Sequence, residues 1–154
     1  MERTLVILKP SAVQRGIIGE IITRFEKKGL KIVGMKLIWL TDDILEEHYA
    51  HLKSESFFQR IKDSMKSCPV IVSCLEGKDA VEVVRKIIGV TNGRNAQPGT
   101  IRGDYSMSVQ ENIVHASDSP ETAVVELNRF FSKDELFDYP HAMRSYLYSN
   151  NEME

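Results

Sequence analysis

The stretch RTLVILKPSAVQRGIIGEIITRFEKKGLKIVGMKLIWL, residues 3–40, holds two apolar runs separated by an amphipathic one. Residues 3–9 are rich in branched apolar side chains and stop at a proline, which predicts a buried strand. Apolar residues then recur at helical spacing over 17–25, and Gly29 follows as a C-cap. A second strand is predicted over 30–40, so this stretch is a strand–helix–strand unit.

The same alternation continues towards the C-terminus. Thr41 predicts the N-cap of a helical pair whose second helix covers 56–66, and a third strand follows over 69–77. A further amphipathic helix is predicted over 78–89, and a fourth strand begins at residue 113. Strands and helices therefore alternate along most of the chain.

The last predicted helix has the clearest start. Ser119 fits the N-cap and Pro120 the first helical position. The apolar face expected for this helix consists of Ala123, Val124, Leu127, Phe130 and Phe131. The resulting order, β-α-β-(αα)-β-α-β, predicts an α+β protein of the ferredoxin-like type (βαββαβ). We expect a four-stranded antiparallel sheet with helices packed on one face and the helical pair as an insertion.

Length and composition restrict the classes of protein that fit. The 154 residues suit one ordinary domain, 1–154. A net charge of −2 gives no general electrostatic case for nucleic acid, and no apolar run approaches the ~20 residues of a membrane span. MERTLVILKP lacks the apolar core of a signal peptide, and Cys68 and Cys74 lie too far apart along a predicted strand to form a disulfide. We therefore expect a cytoplasmic protein.

Residues 90–112 interrupt the regular pattern. They show little periodicity and contain three glycines, with Arg94 and Arg102 among hydroxyl and amide side chains. Structureless loops longer than ~12–15 residues inside a compact domain are usually functional or disordered. Glycines allow close backbone approach and guanidinium groups suit phosphate oxygens, so a phosphate site and a solvated loop both fit. The chain contains neither a Walker motif nor a GxGxxG motif.

His115 stands at the end of the fourth predicted strand, where side chains tend to be displayed. Glu126, near the apolar face of the following helix, can reach back to orient an imidazole. A carboxylate on one ring nitrogen fixes the tautomer and leaves the other nitrogen with its lone pair. From the residues alone, a structural histidine and a solvated helix carboxylate fit as well.

Other polar and aromatic positions also have two interpretations. His48 and His51 lie three residues apart, but two ligands without a third do not make a zinc site. Lys9 ends the first strand, where it is either a ligand contact or a surface lysine. Phe57 and Phe58 either fill the core or present an aromatic face to a base.

The chain resembles the nucleoside diphosphate kinases over about residues 2–131. The segments that carry the resemblance occur in the family's order: ERTLVILKP, VQRGIIGEIITRFEKKGLKIV, EEHYAHLK, FF, TNGRNAQPGTIRGDY and NIVHASDS. The pairing of PGTIRGDY with NIVHASDS is highly specific. After Phe131 the chain matches little, so 132–154 is interpreted as a divergent C-terminal tail of the domain.

The resemblance implies transfer of the γ-phosphate from a nucleoside triphosphate, typically ATP, to a nucleoside diphosphate. The implied cycle is ping-pong, passes through a phosphohistidine and tolerates many bases and sugars. Carried over residue by residue, it makes His115 the phosphate acceptor, with Glu126 orienting it and Ser117 nearby. Lys9 and Tyr49 complete the implied catalytic residues. The implied nucleotide-binding residues are Lys9, Phe57, Arg85, Thr91, Arg102, Val109 and Asn112.

Cofactor and partners follow from the same resemblance. It implies no protein metal site, because Mg²⁺ enters bound to the nucleotide's phosphates. It also implies a homo-oligomer, with a hexamer favoured over a tetramer, and requires neither a membrane nor nucleic acid. A nucleotide-binding module without turnover also fits the fold, but the intact Lys9 and His115 argue against it. An RNA-binding ferredoxin-like domain is disfavoured by the acidic net charge and the lack of an aromatic RNP-type strand.

The sequence departs from the family's pattern at several places. Ala116 stands where glycine is frequent. Gln110 and Glu111 replace a common glycine–arginine pair, which we expect to alter loop anchoring or subunit contacts. KPSAV and SESFF replace the frequent KPDGV and RPFF forms. None of these changes removes a matched catalytic residue.

Overall fold

A four-stranded sheet is the centre of the computed structural model, which describes residues 1–153. The strands are β1 Glu2–Leu8, β2 Lys31–Ile38, β3 Val70–Gly77 and β4 Val114–Ala116. They lie in the order β2-β3-β1-β4, and every neighbouring pair is antiparallel. This order and these directions confirm the predicted ferredoxin-like α+β fold.

Helices connect the strands and cover the sheet. Their bounds are α1 Pro10–Gln14, α2 Ile18–Lys28, α3 Asp42–His48, α4 Phe58–Met65, α5 Ala80–Ile88, α6 Ile101–Tyr105, α7 Pro120–Phe130 and α8 Arg144–Leu147. Single turns of 3₁₀ helix lie at Ala50–Leu52, Gly93–Asn95, Lys133–Glu135 and Asn150–Glu152. The predicted helical pair, α3 and α4, is inserted between β2 and β3. The sequence pattern does not predict α1, α6 or α8.

The helix boundaries follow from the predicted caps. Gly29 ends α2 in the left-handed region, with φ of 102°, where glycine avoids the strain of a side chain. The Ser119 hydroxyl accepts a hydrogen bond from the N–H of Thr122 at 3.1 Å and begins α7. Thr41 likewise accepts from the N–H of Ile44 at 3.3 Å and begins α3. All three caps are confirmed.

Helices cover both faces of the sheet, which corrects the expectation of one covered face. Leu5 and Ile7 of β1 belong to an apolar cluster that includes residues of α3, α4 and α7. Val6 and Leu8 belong to a second cluster, with residues of α2 and α5. All four side chains are fully buried. A strand buried on both sides has a continuous apolar run instead of an alternating one, as β1 does.

The buried face of α7 differs from the prediction at one residue. Ala123, Leu127 and Phe130 are buried in a stripe at positions i, i+4 and i+7. Val124 lies outside this stripe and is 61% exposed, so its prediction as a core residue is wrong. Glu126 is on the edge of the stripe and only 5% exposed. The burial of this carboxylate requires partners, which the cavity described below supplies.

Segment 90–112 is more regular than predicted, since it contains the 3₁₀ turn at 93–95 and α6. The hydroxyl of Thr100 accepts a hydrogen bond from the N–H of Gly103 at 3.0 Å and caps α6. A Cβ added to Gly93 would stand 2.3 Å from a backbone oxygen of Ser106, so only glycine fits this close approach. Caps and close packing therefore hold the segment in shape.

The chain after α7 packs along the outer strand β2. The N–H of Phe137 donates a hydrogen bond to the carbonyl oxygen of Val33 at 2.9 Å. Gly34 lies so close to this segment that an added Cβ would stand 2.8 Å from the carbonyl oxygen of Glu135. The segment predicted as a divergent tail is thus bound to the sheet edge over its first residues.

The two cysteines and the lengths of the helices bear on the predicted class of protein. Cys68 and Cys74 are both buried and form no disulfide, as predicted. No helix within residues 1–153 has the length and apolar character needed to cross a bilayer.

Candidate active site

A cavity of about 920 Å³ lies where α3, α4 and α7 meet the ends of β1 and β4. The residues that the family resemblance names line it together, apart from one. These lining residues are Lys9, Tyr49, Phe57, Arg85, Thr91, Arg102, Val109, Asn112, His115 and Glu126. Ser117 does not line the cavity and is fully buried. Residues that lie up to 117 positions apart in the chain (126 − 9) are therefore brought to one place.

His115 lies in β4, paired with Ile7 of the central strand β1. Its Nε2 stands 2.8 Å from Oε2 of Glu126. An ionised carboxylate only accepts hydrogen bonds, so Nε2 carries the ring proton and Nδ1 keeps its lone pair. Within residues 1–153, Nδ1 has no hydrogen-bond partner. Nδ1 is consequently the ring nitrogen that is available as a nucleophile.

Glu126 is buried yet ionised. Burial, the largest single influence, raises the pKa of its carboxyl group, but the hydrogen bond and charge interaction with His115, together with smaller contributions from Ser117 and His48, hold the pKa below its ordinary value. The Ser117 hydroxyl contributes a smaller lowering of the Glu126 pKa. Oε1 of Glu126 nevertheless lacks a hydrogen bond of ordinary geometry among residues 1–153, so the contact with His115 is the stronger anchor.

His48 packs against His115, which sequence reasoning did not predict. The two ring centroids are 4.6 Å apart in an edge-to-face arrangement. Nη1 of Arg129 lies 3.0 Å from Nδ1 of His48, and arginine only donates, so His48 accepts there. Burial, followed by the charge of His115, lowers the pKa of His48 to about 3, so it stays neutral. Leu45, three residues earlier, marks the same buried face of α3 and could have signalled this position.

His48, His115 and Glu126 also form a group of three potential metal ligands, with donor atoms within 4.8 Å of one another. Each of the three groups already has one ligand atom engaged, because His115 is bonded to Glu126 and His48 to Arg129. The Arg129 guanidinium would repel a cation at this point. The group therefore fits an oriented imidazole better than a metal centre, and His51 is not part of it.

Lys9 enters the cavity just beyond the end of β1. Its Nζ donates to Oδ1 of Asn112 at 2.7 Å and to the carbonyl oxygen of Gln110 at 3.2 Å. Burial, followed by the charge of Arg102, lowers the pKa of Lys9 to about 8. The Lys9 ammonium is thus a cation at neutral pH that loses its proton within the range of ordinary assays.

Arg102 is held by backbone carbonyl groups. Its Nε, Nη1 and Nη2 donate to the carbonyl oxygens of Asn112, Gly89 and Val114 at 3.2, 2.9 and 2.6 Å. These bonds occupy three of about five guanidinium N–H donors, which leaves two for another ligand. Burial, followed by the charge of Arg85, lowers the pKa of Arg102 to about 10, and the group remains charged at neutral pH. Arg102 therefore ties α6 to β4 and can still face the cavity.

A strained turn precedes His115. Ile113 has a φ of 74°, a conformation that costs energy for a β-branched residue. The N–H of Val114 donates to the carbonyl oxygen of Asn112 at 2.8 Å, which closes a γ-turn around Ile113. The carbonyl oxygen of Ile113 in turn accepts from the N–H of Lys9 at 2.9 Å. Asn112 and His115, three positions apart on either side of this turn, both line the same cavity.

Phe57 and Val109 line the cavity and belong to two different segments of the chain. Phe57 is the residue before α4, and Val109 belongs to the segment after α6. Val109 is 50% exposed, so this part of the cavity is open. Arg85 and Thr91 also line the cavity with exposed side chains, and the carbonyl oxygen of Thr91 accepts from Nδ2 of Asn112 at 3.0 Å.

Comparison with known proteins assigns this site to a family. The family model described as nucleoside diphosphate kinase matches residues 2–136. The chain belongs to the nucleoside diphosphate kinase family. The nucleoside diphosphate kinase of Parabacteroides distasonis is 72% identical over 152 residues, which cover 99% of each chain. That of Pyrococcus abyssi is 54% identical over 144 residues, covering 92% of this chain and 91% of the relative.

Solved structures from the family share the fold. A halophilic nucleoside diphosphate kinase from Halobacterium salinarum, in complex with CDP, has a TM-score of 0.93 and 41% identity. The match covers 96% of this chain and 98% of that one. The apo enzyme of Encephalitozoon cuniculi has a TM-score of 0.92 and 40% identity, covering 96% of this chain and 100% of that one. This chain is accordingly a phosphotransferase that acts between nucleoside triphosphates and nucleoside diphosphates.

The departures from the family's pattern have definite places in the structure. Ala116, in β4, is 5% exposed and belongs to the apolar cluster that also contains Val6. Its methyl group is therefore accommodated in the core. Gln110 and Glu111 contact α4, as their side chains bond Arg60 and Ser64. These contacts anchor the loop to α4 across the cavity, and whether they change the family's anchoring stays a prediction.

Proposed function

We propose that His115 is the residue that takes the γ-phosphate from a nucleoside triphosphate and passes it to a nucleoside diphosphate. The observation that carries this proposal is the 2.8 Å contact between Nε2 of His115 and Glu126, which leaves Nδ1 with its lone pair inside the cavity. A neutral imidazole is a competent nucleophile at neutral pH without a separate base. The two half-reactions form a ping-pong cycle.

In the first half-reaction, Nδ1 of His115 attacks the γ-phosphorus. The N–P bond forms while the bond to the β–γ bridging oxygen breaks, and the nucleoside diphosphate leaves with that electron pair. Glu126 stabilises the positive charge that develops on the ring, because it accepts the Nε2 proton's hydrogen bond throughout. In the second half-reaction, a terminal oxygen of another diphosphate attacks phosphorus, and Nδ1 recovers its lone pair.

The cations of the cavity suit the charge of the transferring phosphate. Phosphoryl transfer depends mainly on in-line positioning and charge neutralisation. Lys9, Arg85 and Arg102 supply positive charge along the cavity. Burial, followed by the charge of Glu126, raises the pKa of Tyr49 to about 12, so its hydroxyl stays protonated and able to donate beside His115. We assign Asn112, which is 3% exposed and bonded to Lys9, to a ribose hydroxyl.

Mg²⁺ fits this site as a companion of the nucleotide. The cavity presents cations, and its cluster of potential ligands is already engaged by hydrogen bonds. Phosphate oxygens and water would therefore hold the ion, with no protein cage. When bound, Mg²⁺ neutralises charge on the β- and γ-phosphates. The protein side chains position the phosphates and the imidazole.

Labelling with γ-³²P-ATP in the absence of diphosphate tests the histidine assignment. We expect an acid-labile, base-stable label on the protein that GDP removes. A His115→Ala protein should take up no label and lose activity by at least about 10³-fold, the scale on which enzymes lose rate with a covalent nucleophile. His141→Ala is the matched control, because His141 lies in the tail outside the cavity. A His115→Ala protein that labels and turns over would refute the assignment.

We also propose broad tolerance of base and sugar. The cavity surfaces nearest the expected base are the apolar side chains of Phe57 and Val109, which read no hydrogen-bonding edge. Comparable kcat/KM values for ADP, GDP, CDP, UDP and dADP would support this proposal. A strict preference for one base would contradict it.

Self-association is proposed through the outer strand β2. Met35, Leu37 and Trp39 are 50%, 59% and 62% exposed on or just after this edge strand. An exposed apolar row on a sheet edge is typical of an interface. Light scattering distinguishes the favoured hexamer from a tetramer, and a monomer would overturn the proposal. Two buried free thiols are compatible with the proposed cytoplasmic location.

A further inference from the structure

Two side-chain hydrogen bonds join chain segments on opposite sides of the cavity. Nε of Arg60 donates to Oε1 of Gln110 at 3.1 Å. The hydroxyl of Ser64 donates to Oε1 of Glu111 at 2.6 Å. Arg60 and Ser64 are four residues apart in α4 and therefore lie on one face of that helix. We call these four residues the clasp.

The clasp is adjacent to the proposed base site. Phe57 directly precedes α4, and Val109 directly precedes Gln110. Arg60, Ser64 and Gln110 themselves line the cavity. The two apolar surfaces that would stack on a base thus belong to segments that the clasp connects.

Gln110 also connects the clasp to the phosphate-binding part of the cavity. Its backbone carbonyl oxygen accepts from Nζ of Lys9 at 3.2 Å, while its side chain reaches Arg60. The segment that carries Gln110 is rigid in itself, because the Ser106 hydroxyl donates to the carbonyl oxygen of Glu111 at 3.2 Å and the N–H of Glu111 donates to Ser108 Oγ at 3.1 Å. Gln110 is therefore bonded both to Lys9 and to Arg60 of α4, and it links the positions of these two side chains.

We propose that Gln110 and Glu111 are positioning residues that clasp α4 to the segment carrying Val109 and so set the spacing between Phe57 and Val109. This proposal rests on the proposed nucleotide site and adds the contacts that set the distance between its two apolar surfaces. Both residues depart from the glycine–arginine pair that the family resemblance leads one to expect. A glycine at 110 would have no side chain with which to reach Arg60.

The clasp acts on binding and not on the chemical step. None of its residues touches His115 or Glu126, whose hydrogen bond is made between β4 and α7. Hydrogen bonds at partly exposed positions are modest, so breaking both should weaken ADP binding by about three- to tenfold. The rate at saturating nucleotide should change by less than about twofold, because uniform binding is lost without loss of transition-state contacts.

A double-substitution cycle tests the contact. Gln110→Ala, Arg60→Ala and the combination of both are compared by the dissociation constant for ADP, measured by calorimetry, and by kcat. If the two side chains act through their mutual bond, the combined variant binds ADP about as weakly as either single variant. A direct contact between Arg60 and the nucleotide would instead make the two losses of affinity multiply in the combined variant.

An exchange of partners sharpens the same test. Arg60→Gln combined with Gln110→Arg places an amide and a guanidinium opposite each other again, and we expect it to recover most of the ADP affinity. Glu111→Gln keeps an acceptor for Ser64 and should retain affinity, whereas Glu111→Ala should not. Gln59→Ala is the matched control on α4, because Gln59 bonds only Asp63 of its own helix, at 2.8 Å. Its affinity for ADP should stay within about twofold of the unchanged protein.

Failure of the clasp and failure of the phosphohistidine assignment give different results. In each variant, the extent of labelling by γ-³²P-ATP reports on His115, while the ADP dissociation constant reports on the clasp. Unchanged ADP affinity in the Gln110→Ala and Glu111→Ala combination would overturn the clasp, with labelling intact. Multiplying losses in the Arg60 and Gln110 cycle, or a fall in kcat at unchanged affinity, would overturn it too. Absence of label in the unchanged protein would instead overturn the function on which it rests.

Discussion

The two ends of the cavity are built differently. At the proposed phosphate end, Arg102, Asn112 and Glu126 are 6%, 3% and 5% exposed. Arg102 and Asn112 are tied to backbone carbonyl groups, and Glu126 is tied to the half-buried His115. At the base end, Phe57 is half-buried and Val109 is 50% exposed. Contacts between side chains, those of the clasp, join the two segments there.

This difference matches what each end has to do. Phosphoryl transfer requires the nucleophile and the charges in fixed positions, since small misplacements cost large factors in rate. Stacking on a base tolerates variation in the ring, because every base has an apolar face. Under the proposed function, rigid backbone ties would serve the chemistry, and adjustable side-chain contacts would serve the binding of different nucleotides.

Substitution of Glu126 should give the largest effect among changes that spare the nucleophile. Glu126→Gln keeps the shape and a hydrogen-bond acceptor but removes the charge that faces His115. Loss of a charge-assisted bond of ~1.5–3 kcal/mol corresponds to a kcat lower by about 10- to 150-fold. Stopped-flow measurement of His115 labelling gives the rate of the chemical step. Glu121→Gln is the control, because Glu121 is an exposed glutamate of the same helix. A Glu126→Gln protein with full kcat would show that the phosphate end tolerates substitution as well as the base end does.

The phosphate end should also show a pH dependence that the base end lacks. Burial and Arg102 lower the pKa of Lys9 to about 8, so its charge is present below that pH and lost above it. We expect kcat/KM to fall about tenfold for each pH unit above about 8, because one proton leaves the required cation. Lys9→Arg, whose guanidinium stays charged, should flatten this decline between pH 7 and 9.5 even if its absolute rate is lower. A decline of equal slope in Lys9→Arg would assign the titration to another group.

Substitution at the base end should give the smallest effect. Phe57→Ala removes one surface on which the base would stack. Stacking of a base on an aromatic side chain contributes ~1 kcal/mol at the low end, which corresponds to a KM about fivefold higher at unchanged kcat. The increase should be similar for purine and pyrimidine diphosphates, which steady-state assays with each can compare. Phe137→Ala is the control, because that aromatic ring is 62% exposed in the tail. A Phe57→Ala protein with reduced kcat and unchanged KM would mean that the base end takes part in the chemistry.

Local signals in the sequence predicted most of the elements. The helix starting at Ser119 and the helix ending at Gly29 were identified because caps and apolar periodicity are contiguous in the chain. Apolar periodicity also placed Val124 in the core wrongly. Two neighbouring apolar residues cannot both lie in one buried stripe of a helix, and Ala123 is the one that does. The number of covered sheet faces was also mispredicted, because periodicity alone does not count the layers around a strand.

The residues of the site divide in the same way. Spacing alone left His115 open between a structural and a reactive role, and the family resemblance named its companions. The structure shows that those companions, apart from Ser117, share one cavity, while their roles stay predictions. The contacts of His48 with Arg129 and those of the clasp were not predicted, because no local pattern relates α3 or α4 to residues so distant in the chain.

By itself, the sequence determined the order of strands and helices, the caps and the family, because each depends on neighbouring residues or on motifs read in order. Only the tertiary structure decided which ring nitrogen of His115 is free, how Arg102 divides its donors and where Lys9 meets Asn112. The last pair is 103 positions apart and joined at 2.7 Å. Contacts of this kind depend on how the sheet is ordered and covered, and hydrogen bonding and burial then set the charge states on which the chemistry relies.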